Sequence, residues 1–438
     1  MSNARATAGP WGRRLIYWFR QDLRLGDQPA LAAAAAQAEV LWPVYVHDPA
    51  QRAPGPWGVA PLGHHRARFL ADTLNDLAAG LAARGSGLTE ADGDPAVVLP
   101  ALARAWGADA VVTEDILAPE EQAAVAALRA AGLRVHTVWQ SGLFEPTDLP
   151  FEPARVPTVF TDFRRAVESA ATPVRPPRPV PGRLPPAPDR PAPQRPPLAD
   201  SPGGIDPRSS FPYGQPAWRG GETAALAHVR RYFESDAPRQ YKATRNGLSG
   251  TGYSTKFSPW LANGSVSARQ IHAALLAHER RRGASDGSRW IVFELLWREH
   301  FRWLHARFGR RLYHARGLAP QAGPPAHDAA AFARWCAGRT GEPLVDAGLR
   351  ELAATGYLSN RLRQVVASAL IHDAPGDWRA GAAWFEHQLV DYDVHSNHGN
   401  WLYIAGRGTD PRGGRRFNPE KQAREHDPDG AFQRLWLG

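Results

Sequence analysis

Between residues 13 and 140, short apolar runs alternate with longer stretches rich in alanine and leucine. The apolar runs read LIYWF at 15–19, VLWPVYV at 40–46, DAVV at 109–112 and VHTV at 135–138. The helical stretches between them occupy 66–85, 94–107 and 120–132. Short runs without polar alternation are typical of strands buried on both faces. Their alternation with helices predicts an α/β domain over residues 1–140, with a parallel sheet covered by helices on both faces.

The predicted helix ends follow ordinary capping chemistry. Asp94 precedes Pro95, which is the arrangement of an N-cap followed by proline at the first helical position. Gly107 and Gly132 stand where helices are expected to stop. The first predicted strand is not followed by a G-x-G-x-x-G motif, so the pattern does not indicate a classical dinucleotide-binding turn.

A different composition follows the α/β pattern. Residues 173–197 contain twelve prolines and five arginines, which excludes a helix or a central strand. The stretch predicts an extended, exposed connector within a linker over residues 141–215, and its arginines are expected to be solvated rather than bound to a ligand.

From residue 216 onward the pattern becomes helical and rich in aromatic residues. Six apolar residues recur at spacings of three or four and define one face of a helix: Trp290, Phe293, Trp297, Phe301, Leu304 and Phe308. Glu294 borders this face, where a carboxylate costs free energy unless it is paired. An i,i+4 bond to Arg298 is the structural interpretation of Glu294. The range 216–438 is predicted to be an all-α domain.

Composition narrows the class of protein. The formal net charge is +9, carried by arginine, which suits a polyanionic partner but also suits an ordinary arginine-rich surface. We find no run of about 20 apolar residues that predicts a membrane span, and the first residues lack the apolar region of a secretory signal. The single Cys336 excludes internal disulfides and is expected to be a buried, inert thiol. A cytoplasmic location is therefore predicted.

The stretch DYDVHSNHGNW at 391–401 has side chains that can bind a metal, clamp a cofactor or line a turn. A calcium loop starting at Asp391 would need glycine at its sixth position and glutamate at its twelfth, where the chain has Ser396 and Leu402. His395 and His398 alone are a weak zinc signal without a second ligand group. No metal is predicted, and both histidines are expected to pack or hydrogen-bond locally.

Two further polar stretches point to a cofactor. TGYSTKFSPWLANGSVSAR at 251–269 places small hydroxyls before a helix, an arrangement that can hold a diphosphate or can serve as a capped loop. TGYLSNRLRQVVASALIHD at 355–373 places Asn360 and Arg363 before an apolar helix.

Together these motifs resemble the photolyase/cryptochrome flavoprotein family, and within it the cryptochrome DASH branch. The likeness is carried by WFRQDLRLGDQPAL at 18–31, YKATRNG at 241–247, YSTKFSPWLANG at 253–264, FELLWREHFRWL at 293–304, residues 338–368, residues 377–411 and residues 417–437. It covers nearly the whole chain outside the proline-rich stretch. The resemblance implies an α/β antenna domain joined by a long linker to an all-α FAD-binding catalytic domain.

The resemblance also implies a U-shaped FAD buried in the helical domain. The positions that match the family's flavin contacts are Tyr241, Ser254, Thr255, Lys256, Phe257, Ser258, Arg298, Asn360, Arg363, Asp391, Asp393 and Asn397. Arg363 and Asp391 can pair beside the ring, so that neither charge is buried alone. An asparagine side chain can donate or accept a hydrogen bond and so serve several flavin redox states.

The implied activity is that of a deoxyribodipyrimidine photolyase, a carbon–carbon lyase driven by blue light. Excited reduced flavin donates an electron, the cyclobutane ring of a pyrimidine dimer opens, and the electron returns. The positions matching catalytic or pocket residues are Glu294, Trp297 and Asn360. Those matching DNA contacts or the pocket rim are Arg245, Arg361, Gln364, Tyr403, Arg415 and Gln422.

At two places the sequence differs from other photolyase branches, and one alternative function stays open. Gln364 and Tyr403 stand where double-strand dimer photolyases usually have methionine and tryptophan, and this DASH pattern implies a wider, more polar pocket that favours single-stranded DNA. Leu358 and Asn360 stand where (6-4) photolyases have a histidine pair. The alternative is a photosensory cryptochrome that binds nucleic acid without efficient repair; a generic nucleotide-binding enzyme is a third interpretation.

Two accessory systems follow from the resemblance. Trp401 and Trp378 match the first two tryptophans of the family's photoreduction chain, whereas the third position is Pro325, so Trp335 or Trp384 is the hypothesised outer member. Glu120 and Glu121 match an acidic position that contacts a folate antenna, 5,10-methenyltetrahydrofolate, although they could simply begin a helix. A flavin-type antenna or none remains the alternative. A monomer is expected.

Overall fold

The computed structural model describes residues 10–187, 195–196 and 205–438. Its N-terminal part holds a five-stranded sheet in which each described pairing is parallel. The strands are β1 Arg14–Phe19, β2 Val40–His47, β3 Thr89–Asp92, β4 Ala110–Glu114 and β5 Val135–Val138. Their order in the sheet is β3-β2-β1-β4-β5. The first three strands are added towards one edge and the last two towards the other, so the strand order reverses at the boundary between β1 and β4.

The central strand β1 explains why helices cover both faces of the sheet. Leu15 and Tyr17 are buried in one apolar cluster, whereas Ile16 and Trp18 are buried in another on the opposite face. Alternate residues of a strand point to opposite faces, so the run from Leu15 to Phe19, which has no charged position, must be covered on both faces of the sheet. The predicted doubly covered parallel sheet is confirmed.

Four helices connect the strands: α1 Pro29–Gln37, α2 His64–Ala82, α3 Pro95–Trp106 and α4 Pro119–Ala130. The side chain of Asp94 accepts a hydrogen bond from the amide of Ala96 and caps α3 as predicted. Gly107 ends the same helix in the left-handed conformation, at φ 61°. Capping by Asp94 and Gly107 therefore sets both ends of α3.

The strand β3 is the element of the sheet that hydrophobic pattern does not predict. Its sequence is TEAD, with no apolar run. The strand lies at the edge of the sheet and pairs only with β2 among the described strands. An edge strand needs less apolar surface than a central one, so its sequence resembles a loop.

The chain from residue 216 onward is helical, as predicted, and one further helix, Phe160–Ser169, lies in the range that was expected to be linker. The helices after the sheet are α5 Phe160–Ser169, α6 Glu222–Glu234, α7 Ala237–Thr244, α8 Ser258–Ala262, α9 Ala268–Arg282, α10 Asp286–Phe308, α11 Ala329–Cys336, α12 Pro343–Thr355, α13 Asn360–Ser368, α14 Trp378–Gln388, α15 Val394–Ile404, α16 Pro419–His426 and α17 Ala431–Leu437. A π-helical turn, Ala369–Asp373, follows α13. These helices share one large apolar core.

The proline-rich connector is more ordered than its composition indicates. Leu184 is buried, and its amide donates to the carbonyl oxygen of Arg84. Arg195, expected to be solvated, forms an ion pair with the buried Glu90 of β3. The expectation of a fully exposed connector is therefore corrected, because backbone and arginine partners on the α/β domain hold the described part. The stretches 188–194 and 197–204 lie outside the described residues.

A buried ion pair fixes the α/β part against the helical part. Asp27, directly before α1, pairs with Arg269 of α9 at 3.0 Å, and both side chains are buried. Arg269 also reaches Glu145 at 2.6 Å, which satisfies a second donor. Removing either partner would leave a buried charge uncompensated, so this contact favours one relative placement of the two parts. Within the described ranges, we find no helix long and apolar enough to cross a membrane.

Candidate functional site

The helical part encloses a cavity of about 450 Å³ bordered by α7, α10, α13, α15 and the loop before α8. A smaller cavity of about 90 Å³ adjoins it and shares Asn360, Arg363, Gln364 and Asp391. Of the residues predicted to contact flavin, the larger cavity is lined by Tyr241, Ser254, Thr255, Lys256, Phe257, Ser258, Arg298, Asn360, Arg363 and Asp391. Asp393, Asn397 and Trp401 line the smaller one. Three stretches distant in sequence thus converge on one site.

Arg363 and Asp391 form the charged pair predicted between α13 and the turn before α15. One nitrogen, Nη2 of Arg363, donates to both carboxylate oxygens of Asp391, at 2.9 and 2.8 Å. The Asp391 side chain is 1% exposed and that of Arg363 is 23% exposed. Burial opposes the charged form of Arg363, but Asp391 compensates and raises the arginine pKa. The pair therefore keeps a fixed positive group at the boundary of both cavities.

Asp393 is held by a different set of partners. Its carboxylate accepts from Arg302 at 3.0 Å, lies 3.5 Å from Arg298, and caps α15 by accepting from the amide of Ser396. Burial alone would raise the pKa of Asp393, but Arg302 and Arg298 hold it well below its usual range. Arg298 in turn donates to the carbonyl oxygens of Ser141 and Leu261. Both predicted residues are therefore fixed before any ligand binds.

The loop Ser254–Ser258 carries a buried lysine in a rare backbone conformation. Lys256 has φ 56°, in the left-handed region, which costs a residue with a β-carbon roughly 1–2 kcal/mol. Its side chain is 1% exposed, its ammonium lies 3.4 Å from the ring centre of Tyr253, and it has no hydrogen-bond partner. Burial lowers its pKa well below the usual value, opposed by the nearby Glu351. Sequence reasoning missed both Tyr253 and Glu351, although Tyr253 lies inside the motif quoted for the loop.

The charge of the larger cavity suits an anionic ligand. Five basic side chains line it against two acidic ones; the basic residues are Arg245, Lys256, Arg298, Arg363 and Arg415, and the acidic residues are Glu294 and Asp391. A buried ammonium without a partner is costly unless an anion or water satisfies it. The cavity therefore fits the diphosphate of FAD, with the unpartnered Lys256 as the observation that tests the fit.

Asn397 lines the smaller cavity with its amide already oriented. Its Nδ2 donates to the carbonyl oxygen of Ala382 at 3.0 Å. Because the amide nitrogen is used in this hydrogen bond within the protein, the carboxamide oxygen is left to accept a hydrogen bond from a ligand. The predicted position beside a flavin ring is therefore compatible with a group that carries an N–H.

Glu294 pairs with Arg245, which corrects the expected bond to Arg298. The nearest guanidinium nitrogen of Arg245 lies 2.5 Å from Oε1 of Glu294, and the indole N–H of Trp290 donates to the same oxygen at 3.0 Å. Burial raises the pKa of Glu294, and Arg245 opposes that shift. Arg298 cannot serve because Asp393 and two carbonyl oxygens hold it elsewhere. Arg245 directly follows α7, and a partner from another part of the chain cannot be predicted from i,i+4 spacing within α10.

The predicted aromatic wall, Trp297, is backed by a residue from the range expected to be linker. Phe160 of α5 stacks on Trp297 with ring centres 3.7 Å apart and planes 9° from parallel. Tyr403 approaches the same indole edge-on at 5.6 Å. Arg415 donates to the Tyr403 hydroxyl at 2.6 Å and to both oxygens of Asp410. These contacts hold three predicted residues at the larger cavity, whereas Phe160 was missed.

Two predicted DNA contacts do not line the cavity. Arg361 of α13 donates to Asn246 at 3.1 Å and lies beside the site rather than in it. Gln422 of α16 is buried, with Glu425 of the same helix as its side-chain partner at 3.5 Å. Burial and the nearby Arg245 both lower the pKa of Arg361, and its assignment to the pocket rim stays a prediction. The structure does not bring Gln422 to the cavity, since α16 buries it.

The four tryptophans predicted to transfer electrons differ in how far they are buried. Trp401 and Trp378 are buried, and Trp401 lines the smaller cavity. Trp335 is 0% exposed and its ring centre lies 6.3 Å from that of Trp401. Trp384 is half-buried and stacks on His387 at 5.7 Å. The outer role hypothesised for Trp335 or Trp384 stays a prediction.

Glu120 and Glu121 begin α4 and meet a third carboxyl from the helical part. Burial raises the pKa of Glu386 on α14 to about 7, with Arg66 opposing it and Glu120 and Glu121 adding to the shift. Gln21 donates to Glu121 at 3.2 Å. Sequence reasoning missed Glu386, because nothing in its own helix marks it. The predicted antenna position is therefore an acidic cluster formed by both parts of the chain.

His395 and His398 behave differently from metal ligands. His398 lies 3.2 Å from the carbonyl oxygen of Val394 through Nδ1, and burial lowers its pKa to about 3. His395 is buried, with its Nδ1 3.8 Å from Asp393. Among the described residues, we find no group of three or more histidine, cysteine, aspartate or glutamate side chains that could hold a metal ion.

Family models match both parts of the chain. The model described as DNA photolyase matches residues 15–184, and the model described as the FAD binding domain of DNA photolyase matches residues 290–438. The second range contains α11 to α17, all but the first four residues of α10, and most of the cavity lining. Fold and site therefore define a flavoprotein of the photolyase/cryptochrome class.

Curated relatives and solved structures narrow this class. The chain is 43% identical to Cryptochrome DASH of Gloeobacter violaceus, over 97% of this chain and 85% of that protein, and 40% identical to Cryptochrome DASH of Synechocystis sp., over 97% and 87%. The crystal structure of Synechocystis cryptochrome matches with a TM-score of 0.89 at 38% identity, covering 98% of this chain and 89% of the other. A class III photolyase from Agrobacterium tumefaciens matches with a TM-score of 0.78 at 30% identity, covering 100% and 88%. The chain belongs to the cryptochrome DASH family.

Proposed function

We propose that this protein repairs cyclobutane pyrimidine dimers under blue light, by electron transfer from reduced FAD, and that it prefers single-stranded DNA. The observation that carries the proposal is the larger cavity itself. One cavity combines the cationic residues suited to FAD with Glu294, Trp297 and Tyr403, the side chains expected at a lesion pocket. Cofactor and damaged base would then lie close enough for direct electron exchange.

FAD would be held by Lys256 and the loop around it, by Arg298, by the pair Arg363 and Asp391, and by Asn397. When bound, FAD supplies the electron of high reducing power that opens the dimer. A bound phosphate would favour the charged form of Lys256, which burial disfavours, and would give its unpartnered nitrogen a hydrogen-bond partner. The pair of Arg363 and Asp391 supplies fixed charge without the cost of burying either group alone. The residues therefore bind, orient and exclude water, while the difficult chemistry belongs to the cofactor.

Glu294 is proposed to exchange partners when DNA binds. In the free protein its carboxylate is paired with Arg245. A DNA phosphate competes for Arg245, because guanidinium groups bind phosphate well. Without that partner, the burial that already raises the pKa of Glu294 favours its protonated form. Protonated Glu294 would donate a hydrogen bond to the negative charge that develops on the dimer.

The strand preference rests on Gln364 and Tyr403. Both line the cavity, where they present an amide and a hydroxyl. A damaged base must leave the stack to enter such a cavity, and unstacking costs less in a single strand than in a duplex. We therefore assign the preference to the cost of base flipping rather than to base-specific contacts.

The deciding experiment is blue-light irradiation of the reduced protein with a dimer-containing oligonucleotide, single- and double-stranded side by side. We expect restored thymines from both, with faster repair of the single strand. Dark incubation is the control. The absence of restored thymine from either strand would refute the repair proposal, and equal rates on both strands would refute the preference.

DNA binding should weaken with salt in proportion to the phosphates contacted. On single strands the slope of log K against log salt is about −0.7 per phosphate. We expect Arg361→Gln, which removes a rim charge, to make the slope about 0.7 less steep. Arg52→Gln is the matched control, because Arg52 pairs with Asp92 in the α/β part. Titrations of a fluorescent oligonucleotide at several salt concentrations measure both slopes; identical slopes would place Arg361 outside the interface.

A photosensory cryptochrome is the second candidate, favoured by the buried Trp401 beside the cavity. Such a tryptophan can return electrons to an oxidised cofactor in a protein whose output is a redox state. The irradiation experiment separates the candidates, because a sensor would bind the oligonucleotide and photoreduce without restoring thymines. We place either function in a cytoplasmic monomer.

We also propose a folate antenna at the acidic cluster of Glu120, Glu121 and Glu386. A pterin ring presents adjacent N–H donors, which carboxylates accept. Arg66 lies over the ring of Tyr392 at 4.8 Å, and this tyrosine also bonds Glu386. A flavin-type antenna would need a phosphate site instead. Identification of chromophores released from the purified protein distinguishes folate, a second flavin and none.

A further inference from the structure

Tyr313 and His305 form a hydrogen-bonded pair close to Trp378. Tyr313 ends the turn Gly309–Tyr313 that directly follows α10, and His305 lies in the last turn of α10. The phenol oxygen lies 3.0 Å from Nε2 of His305. His305 is buried, whereas Tyr313 is half-buried. A phenol bonded to an imidazole is a unit in which an electron and a proton can leave together.

The partners of His305 determine the direction of this hydrogen bond. Its Nδ1 lies 2.8 Å from the carbonyl oxygen of Phe301, one turn earlier, and a carbonyl oxygen can only accept. Burial lowers the pKa of His305 to about 4, so the ring is neutral and carries one N–H. That hydrogen is on Nδ1, which leaves the lone pair on Nε2. Tyr313 must therefore be the donor, with its proton directed at a free base.

An aromatic path joins this pair to Trp378. The ring of His398 lies 4.2 Å from that of Tyr313 and 6.3 Å from that of Trp378, so both pack against one imidazole. The indole N–H of Trp378 donates to the carbonyl oxygen of Ala315, two residues after Tyr313. A carbonyl oxygen is not a base that can remove the indole proton. An oxidised Trp378 would therefore stay cationic and remain a strong oxidant towards its neighbours.

We propose that Tyr313 is the outer electron donor of this protein and that His305 takes its proton. One electron passes from Tyr313 to the Trp378 radical cation, which returns to neutral indole. The phenolic proton passes to Nε2 of His305 at the same time, and the products are a neutral tyrosyl radical and an imidazolium. The oxidant, the Trp378 cation, arises during photoreduction of the cofactor, so this inference rests on the proposed electron entry through Trp401 and Trp378.

The surroundings of Tyr313 suit this role. Burial raises the pKa of the phenol, and Glu121, Glu120, Glu386 and Asp393 raise it further. Tyr313 therefore stays protonated in the dark and has a proton to give, while negative charge nearby favours a positive product at His305. Because Tyr313 is half-buried, a dissolved reductant can restore it. Trp335, by contrast, is fully buried and packs against Trp401.

The test is the identity of the radical trapped after a blue flash on the protein with oxidised FAD. We expect the electron paramagnetic resonance spectrum of a tyrosyl radical, narrowed in protein grown with ring-deuterated tyrosine. Tyr313→Phe should lose this signal. Tyr45→Phe is the matched control, because Tyr45 also contacts a histidine ring, His47 at 4.9 Å, but lies on β2. A tyrosyl signal that persists in Tyr313→Phe, or a wild-type spectrum from tryptophan alone, would overturn the inference.

Two further measurements separate this inference from the proposed electron entry. Trp401→Phe should abolish flash-induced radicals of every kind; if it does not, the entry route fails. If it does and Tyr313→Phe leaves the radical unchanged, the Tyr313 assignment alone fails. Nitrogen-15 resonances of His305 in the dark protein should show Nδ1 protonated and Nε2 as a hydrogen-bond acceptor. The opposite tautomer would remove the proton acceptor and contradict the proposal without any variant.

Discussion

Asp391→Asn should lower the free energy of unfolding by about 3–5 kcal/mol and abolish retention of FAD during purification. Asp391 is almost completely buried and accepts two hydrogen bonds from one nitrogen of Arg363. Asparagine keeps the shape but removes the charge, so the Arg363 guanidinium loses its compensating anion. The unpaired cation also changes the electrostatic field at the boundary of both cavities, where the flavin ring is proposed to bind.

Urea unfolding of FAD-free protein measures the stability effect, because bound FAD would stabilise the folded state by mass action. Flavin absorbance per mole of purified protein measures retention. Asp236→Asn provides the matched control, since the pair of Asp236 and Arg282 is exposed and should contribute within about 0.5 kcal/mol. A loss of stability in Asp391→Asn no larger than in the control would contradict the assigned role of the pair.

The sheet shows why hydrophobic pattern predicts a fold unevenly. From Leu15 to Phe19, β1 has no charged position and is buried on both faces, so this run alone predicts a central strand. β3 has the polar sequence TEAD, because an edge position does not require an apolar strand. The prediction of an exposed proline-rich connector was wrong for a different reason. Composition excluded regular structure, but its contacts with Arg84 and Glu90 are tertiary and leave no local signal.

The residues of the candidate site also fall into two groups: those that the sequence predicts and those that only the fold shows. Arg363 and Asp391 lie in long motifs, so resemblance placed both and charge pairing explained them. Phe160, which stacks on Trp297, lies in a stretch without such a motif and reaches the site only through the packing of α5 on α10. Gln422 shows the converse, since motif position suggested a DNA contact but burial on α16 removes it from the cavity. Sequence motifs therefore indicate which residues can take part in a site. Which of them are buried, and which side chains they contact, depends on the fold.

Glu294→Ala should slow ring opening by roughly ten- to a hundredfold and so lower the number of dimers repaired per absorbed photon, since a hydrogen bond to a charged group contributes about 1.5–3 kcal/mol. In the proposed mechanism, protonated Glu294 stabilises the negative charge on the dimer while its ring opens. Without that donor, the electron returns before the ring opens in a larger share of events. Glu294→Gln should retain part of the yield, because its amide can still donate.

Comparison of the two variants separates hydrogen-bond donation by residue 294 from the loss of its ion pair with Arg245. Both substitutions remove the negative charge that pairs with Arg245, so a difference between alanine and glutamine does not come from the loss of the ion pair and reports the amide at position 294. FAD content must equal that of the wild type, and the oligonucleotide must be saturating, because release of Arg245 should strengthen DNA binding. Glu168→Ala, which removes an exposed carboxylate paired with Arg164, controls for the change of net charge. If alanine and glutamine reduce the yield equally, Glu294 acts by positioning Arg245 and not by donating to the lesion. If neither reduces it, proton donation from Glu294 has no part in repair.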